Sequence, residues 1–227
     1  MQDHITFSTL IITGPDAERF LQGQLTCDVT KITTEPSFGA YCDARGRMIA
    51  NFILIKNDHA FHLTLPNDML DILEHTLKKF AVFSKVTLTK NNSPIHIDIE
   101  THKLALIKTG IAFIYPETSL LFTPQMLDWE KHGGVSFTKG CYVGQEIVAR
   151  TQHLGKLKRH LHKLTITDAT ILAPPGTELT NSDGEVIGIV CEAAFDNKTL
   201  YALAVIQDDA VESPLYLHKN RCTVHII

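Results

Sequence analysis

The segment Gly133-Gly134-Val135-Ser136-Phe137-Thr138-Lys139-Gly140-Cys141-Tyr142-Val143-Gly144-Gln145-Glu146 holds the residues best suited to chemistry. Cys141 offers a sulfur nucleophile or a soft-metal ligand, and the thiolate is the reactive form in both roles. Gly140 and Gly144 remove side-chain bulk on either side, so backbone can approach a ligand or a neighbouring segment. The run from Gln145 to Arg150 predicts a short helix beginning after Gly144, which puts Cys141 just ahead of a helix N-terminus. Amide N–H groups there, with Lys139, favour the thiolate, and Glu146 opposes it. One cysteine without a neighbouring His or second Cys is not a complete metal site. The same residues also suit a tight glycine turn around a buried, inert thiol.

The other cysteines read differently. The chain has 5, at Cys27, Cys42, Cys141, Cys191 and Cys222, with long spacings and no C-x-x-C, so neither a zinc knuckle nor a thioredoxin-type pair is signalled. All but Cys141 sit beside apolar or β-favouring residues and are expected to be small buried hydrophobes. The N-terminus lacks a basic region ahead of its short apolar run, which points to a cytoplasmic protein with reduced thiols. No apolar stretch approaches the ~20 residues that cross a bilayer, so no membrane partner is expected. The 12 histidines are scattered without an H-x-x-x-H pattern and read as surface residues.

Elements able to position the segment come from both sides of it. The pattern predicts a strand over 5–13, then a helix opened by Gly14-Pro15-Asp16 and running to about Leu25. Strands over 39–42 and 47–55 flank the turn Asp43-Ala44-Arg45-Gly46, and a third strand covers 60–65. Pro66-Asn67-Asp68 starts a helix through Phe80, with Met69, Leu70, Leu73, Leu77 and Phe80 on one face. Strands are expected over 81–89, 95–99, 104–107 and 111–115. A further helix starts at Thr123-Pro124 and ends at Gly133-Gly134. From Lys156 onward short strands dominate, over 185–191, 200–205, 214–217 and 222–227, as in a small barrel or sandwich. The class is α+β, with a domain over 1–155 carrying the cysteine loop and a C-terminal β domain over 156–227.

The composition fits a folded protein: 227 residues, 44% hydrophobic, 20% charged, which excludes a chain dominated by disorder. Net charge is 21 − 25 = −4, so global electrostatics does not announce a nucleic-acid binder.

The stretch Lys139-Gly140-Cys141-Tyr142-Val143-Gly144-Gln145-Glu146, followed by Arg150, closely resembles the K-G-C-Y-x-G-Q-E…R signature of the YgfZ family. Gly14 to Val29 is similar to that family's N-terminal helix, Asp43-Ala44-Arg45-Gly46-Arg47 to its hairpin turn, and Thr123-Pro124-Gln125 with Gly133-Gly134 to the lead-in of the signature. The resemblance implies a glycine-cleavage T-protein-like domain, here with a shortened middle between about Asn91 and Phe122, and a small C-terminal β-barrel. It implies a folate-binding accessory protein for iron–sulfur cluster assembly or repair, binding tetrahydrofolate or a derivative and meeting iron–sulfur assembly or client proteins. In that reading Cys141 is the functional thiol, Lys139 tunes its charge, Gly140 and Gly144 permit the loop, and Gln145, Glu146 and Arg150 orient the loop or ligand; with Tyr142 these seven make up the implied cofactor-binding set. The alternative is a folate-dependent one-carbon transferase or a tRNA-modification factor. The T-protein's R-T-G-Y-T-G-E-x-G signature has no counterpart, which disfavours aminomethyl transfer and leaves an accessory role ahead of turnover catalysis.

Ile147 to Thr167 contain no Asp or Glu but hold Arg150, Lys156, Lys158, Arg159 and Lys163, with His153, His160 and His162. This local positive patch suits a folate glutamate tail, a phosphate or an acidic partner, or is simply a solvated face. It lacks interleaved aromatics, which disfavours direct nucleic-acid binding.

Overall fold

The computed structural model describes residues 4–91, 102–167, 170, 172–217 and 223–227. Apolar side chains line both faces of β1 (Phe7–Thr13), and the chain buries that strand inside an antiparallel sheet of order β2-β3-β4-β1-β5. Its other members are β2 (Ser37–Cys42), β3 (Met48–Asn57), β4 (Ala60–Pro66) and β5 (Thr87–Asn91). The helices α1 (Ala17–Gln22) and α2 (Leu70–Phe80) supply Phe20, Leu21, Leu70, Leu73 and Leu77 to the same core. The spacing of the α2 leucines is that of one helical face. Phe80 leaves that face and is half-exposed at the helix end.

The second layer is a closed barrel of order β10-β11-β6-β9-β8-β7. It comprises β6 (Arg159–Thr167), β7 (Glu178–Thr180), β8 (Val186–Asp196), β9 (Thr199–Gln207), β10 (Leu215–Leu217) and β11 (Thr223–Ile226). Side chains of β9 divide with period two. Leu200, Ala202, Ala204 and Ile206 fill the barrel, while Leu203 and Val205 join the core of the sheet part.

The middle of the chain departs from the sequence expectations. Residues 104–107 are helical, inside α3 (Lys103–Thr109), which ends on Gly110 at φ 81°. A short apolar run has no period long enough to separate helix from strand, and the glycine stop decides it. Residues 111–115 form no ladder. Instead the buried Asn51 amide donates to Ala112 O (2.9 Å) and its oxygen accepts Ile114 N–H (2.8 Å), so a side chain does the work of a strand neighbour. Residues 82–84 turn before β5 begins at Thr87. The helix at Thr123-Pro124 is a single 3-10 turn (Pro124–Leu127), closed by Asp128 at φ 54°. The strand expected over 95–99 and Cys222 lie outside the described residues.

Candidate functional site

Two glycine-centred turns form the base of the site. Asp43 closes the β2–β3 hairpin with its own carboxylate, which accepts from Arg45 N (2.9 Å) and Arg47 N (2.8 Å). Gly46 sits there at φ +71°, and a Cβ on it would press Ile147 and Val148 at 3.1–3.3 Å. Opposite it, Gly144 lies at φ +83°, and a Cβ there would fall 2.4 Å from Asp43 O and 3.2 Å from Gly46 Cα. The two turns interlock because both lack side chains. α4 (Gln145–His153) starts from this contact, and Gln125 Nε2 donates to Val148 O at 2.7 Å to fix it against the 3-10 turn.

The loop before α4 is tied to the segment after α1. Ser136 N donates to Thr26 O (2.9 Å), Thr26 Oγ1 to Gly134 O (2.6 Å) and Val143 N to Gly23 O (3.3 Å). Gly134 is required by Trp129, whose Cδ1 would meet an added Cβ at 2.3 Å. Trp129 is itself fully buried and donates to Gly39 O at 3.2 Å. Tyr142 is buried, and Cys141, one residue earlier, is exposed. The loop thus presents a thiol to solvent from anchored backbone.

Cys141 differs in this from Cys27, Cys42 and Cys191, all buried. Burial pushes the Cys27 thiol up to about 11 against the lowering pull of Lys139. Burial also raises Cys42 and Cys191 well above the ordinary thiol range. These three are inert core residues, as the sequence led one to expect.

Lys139 takes a place that the sequence reading did not foresee. Its Nζ donates to Leu25 O (2.8 Å) and Cys27 O (2.7 Å) and lies 5.1 Å from the centre of the Tyr142 ring. Burial lowers its ammonium to about 8, opposed by Cys27 and Asp28. Lys139 therefore acts as an internal clamp between the loop and residues 25–27, and not as a tuner of Cys141. Gly140 is exposed with nothing within 4 Å of an added Cβ, so no neighbour in the fold demands glycine there. Glu146 and Arg150 are exposed on α4, and Gln145 is half-buried.

A second feature was not visible in the sequence. β8 carries a bulge between Val190 and Glu192, and Glu192 is only 2% exposed. Its carboxylate pairs with Lys103 Nζ of α3 at 3.3 Å and accepts a short hydrogen bond from the Tyr115 hydroxyl. Burial and the Glu192 charge hold the Tyr115 phenol far above its ordinary range. Lys103 and Tyr115 also line a polar cavity of about 310 Å³ with His4, Thr6, Asn67 and Asp68. Middle segment and sheet meet there, with Glu192 of the barrel behind Lys103 and Tyr115. None of Lys139, Gly140, Tyr142, Gly144, Gln145, Glu146 and Arg150 lines it. Only a lone glutamate in an apolar barrel strand could have hinted at it from sequence.

No group of three or more His, Cys, Asp or Glu among the described residues is arranged to hold a metal ion. No described helix is long and apolar enough to cross a membrane.

No family model matches the chain. The structure is similar to that of glycine cleavage system aminomethyltransferase T from Bartonella henselae, with a TM-score of 0.63 over 98% of this chain and 83% of that one. Identity there is 14%, so the likeness is one of fold. The sequence is 32% identical over 220 residues to tRNA-modifying protein YgfZ of Colwellia psychrerythraea, spanning 68% of each chain. It is 28% identical to the protein of that name from Cronobacter sakazakii, over 95% of this chain and 87% of the relative. That second alignment runs over 287 residues against the 227 of this chain, so the relative carries segments this chain lacks. With the signature loop braced as described and this identity across two thirds of both proteins, the chain belongs to the YgfZ family.

Proposed function

We propose that the protein is a folate-binding accessory factor for tRNA modification, acting through iron–sulfur cluster assembly or repair, with Cys141 as its functional thiol. One observation carries the reading: Cys141 is held exposed on a loop that is otherwise pinned by backbone hydrogen bonds and two interlocked glycines, while Cys27, Cys42 and Cys191 are buried. A fixed, accessible sulfur suits attack on an electrophile or contact with a soft metal. A cluster takes four thiolates as a rule, so Cys141 would share one with a client or an assembly protein. The names of the relatives support the tRNA-modification setting.

The cavity at Tyr115 fits the head group of a reduced folate. Its ~310 Å³ is at the lower end of small-ligand cavities and suits a bicyclic ring with the tail leading out. Asp68 offers an acceptor for the donors of a pterin amide edge, and Lys103 offers a cation for a carboxylate. Bound tetrahydrofolate would supply one-carbon chemistry or a reducing ring. The residues here bind and orient it. The buried Glu192 holds Lys103 and Tyr115 in place from the barrel side.

Complementation of a strain lacking the protein tests the reading, with tRNA nucleosides measured by mass spectrometry and an iron–sulfur enzyme assayed beside them. Cys141→Ala is expected to melt like wild type and to rescue neither readout. Full rescue by that variant removes the thiol from the mechanism. Calorimetric titration with tetrahydrofolate tests the cavity separately: Lys103→Met should weaken binding, and Arg150→Ala should leave it unchanged.

A further inference from the structure

The expectation against nucleic-acid contact rests on the lack of aromatics between Ile147 and Thr167. The fold changes the setting of that stretch. The loop before Cys141 runs back beside α4, so that the Phe137 ring lies 6.0 Å from the His153 ring, edge-on, at the last turn of the helix. Leu154 follows with 85% of its surface exposed. Beyond it, Lys156, Leu157, Lys158 and Arg159 form one lip of a groove of about 370 Å³, with Gln207, Asp208 and Asp209 on the other.

The cations of this face are free. Arg150, Lys156, Lys158 and Arg159 are exposed, and among the described residues none of them enters an ion pair. Many other lysines are engaged. Lys31, Lys56, Lys78, Lys90, Lys103, Lys108 and Lys131 face carboxylates, and Lys163 Nζ donates to Lys108 O. The acids near the groove are few. Asp208 is engaged by His160 Nδ1 at 2.6 Å, Asp209 stands on the far lip, and Glu146 lies at the opposite end of α4. α4 is nine residues, roughly 13 Å long. Lys156, Lys158 and Arg159 therefore lie beyond one end of this short helix and Cys141 before the other, with Arg150 on the helix itself.

We propose that this groove lip binds the sugar–phosphate backbone of an RNA, with Lys156, Lys158 and Arg159 on its phosphates and Cys141 at the other end of α4. The proposal rests on the tRNA-modification reading above and turns it into a direct contact. A row of unpaired, flexible cations neutralises a row of phosphates, and the contact is sequence-independent. Leu154, exposed beside them, adds apolar surface, while Phe137 packs partly buried against the core and the His153 ring.

The test is titration of labelled bulk tRNA with the full-length protein at a series of salt concentrations. Wild type should bind with an affinity that falls linearly in log–log form. The variant Lys156→Gln/Lys158→Gln/Arg159→Gln should lose about 2.7 from that slope, at about 0.9 per phosphate contact. Between about 50 and about 200 mM salt, wild type then loses about 40-fold more affinity than the variant does. Asp209→Asn, which removes the opposing charge, should tighten binding. All these side chains are exposed, so the variants should melt like wild type and keep tetrahydrofolate binding. Cys141→Ala should keep tRNA binding, which separates this face from the thiol chemistry. No tRNA binding by wild type, an unchanged slope in the triple variant, or equal affinity for poly-glutamate at matched charge would each overturn the proposal, the last in favour of an acidic protein partner.

Discussion

Replacing Gly144 by alanine should damage the protein far more than the same change at Gly140, although both glycines flank the same thiol. At Gly144 the backbone has φ +83°. An L side chain in that region costs roughly 1–2 kcal/mol. The new methyl would also lie 2.4 Å from Asp43 O, 3.2 Å from Gly46 Cα and 3.3 Å from Cys42 Cβ. The first two are backbone atoms, which cannot rotate away, and forced overpacking costs typically 1–3 kcal/mol, roughly. The sum is roughly 2–5 kcal/mol, enough to lower the melting temperature by roughly 4–20 °C in a chain of this size. At Gly140 nothing lies within 4 Å and φ is outside the left-handed region. Gly140→Ala should therefore stay within roughly 0.5 kcal/mol of wild type. Urea unfolding at constant m-value gives both numbers, and alkylation of Cys141 in the native state reports whether its loop has moved. Equal losses for the two variants, or an unshifted midpoint for Gly144→Ala, would refute the interlocked-turn account of how the thiol is held.

Other predictions concern the remaining parts of the site. Maleimide at neutral pH should modify Cys141 at least about ten times faster than Cys27, Cys42 or Cys191, as peptide mapping would show, since those three are buried with raised thiol pKa values. Lys139 has a folded-state pKa of about 8 against an ordinary 10.5. Between those values the unfolded chain binds more protons than the folded one, so this lysine makes stability rise with pH there. The stability difference between wild type and Lys139→Met should grow in favour of wild type from about pH 8 to about pH 10.5, and a flat difference would count against burial of the charge. Glu192→Gln leaves Lys103 without its carboxylate and should cost roughly 3 kcal/mol in denaturant titration, with much of the loss recovered in the double variant Glu192→Gln/Lys103→Met.

The Tyr115 cavity and the Cys141 loop are built by different means. Around Cys141 the fixing forces are main-chain hydrogen bonds and steric fit, which hold a backbone path and leave one side chain free. At Tyr115 the fixing forces are a buried charge and its partners, which hold side chains and leave a polar space. The first suits presentation of an atom to a large partner. The second suits capture of a small polar ligand.

Local chemistry makes much of this legible in the chain alone. Apolar spacing marked β1 to β4 and the α2 face, Gly46 and Asp43 marked a turn, and the signature from Lys139 to Glu146 marked the thiol and the family. Period and turn chemistry are properties of neighbouring residues, so they survive without a fold. Four things depended on residues distant in the chain. Helix won over strand at 104–107, where the run was too short for its period to speak. Residues 112–114 gained their hydrogen bonds from Asn51, a partner far back in the chain. Lys139 turned inward to Leu25 and Cys27, away from the thiol two residues on. Glu192 met Lys103 and Tyr115 only because barrel and middle segment close on one another. The sequence by itself determined which side chains can react and which short elements carry them. The tertiary structure alone decided which stay exposed and which carbonyl or carboxylate each cation meets, because burial and pairing are set by segments that touch only once the chain is folded.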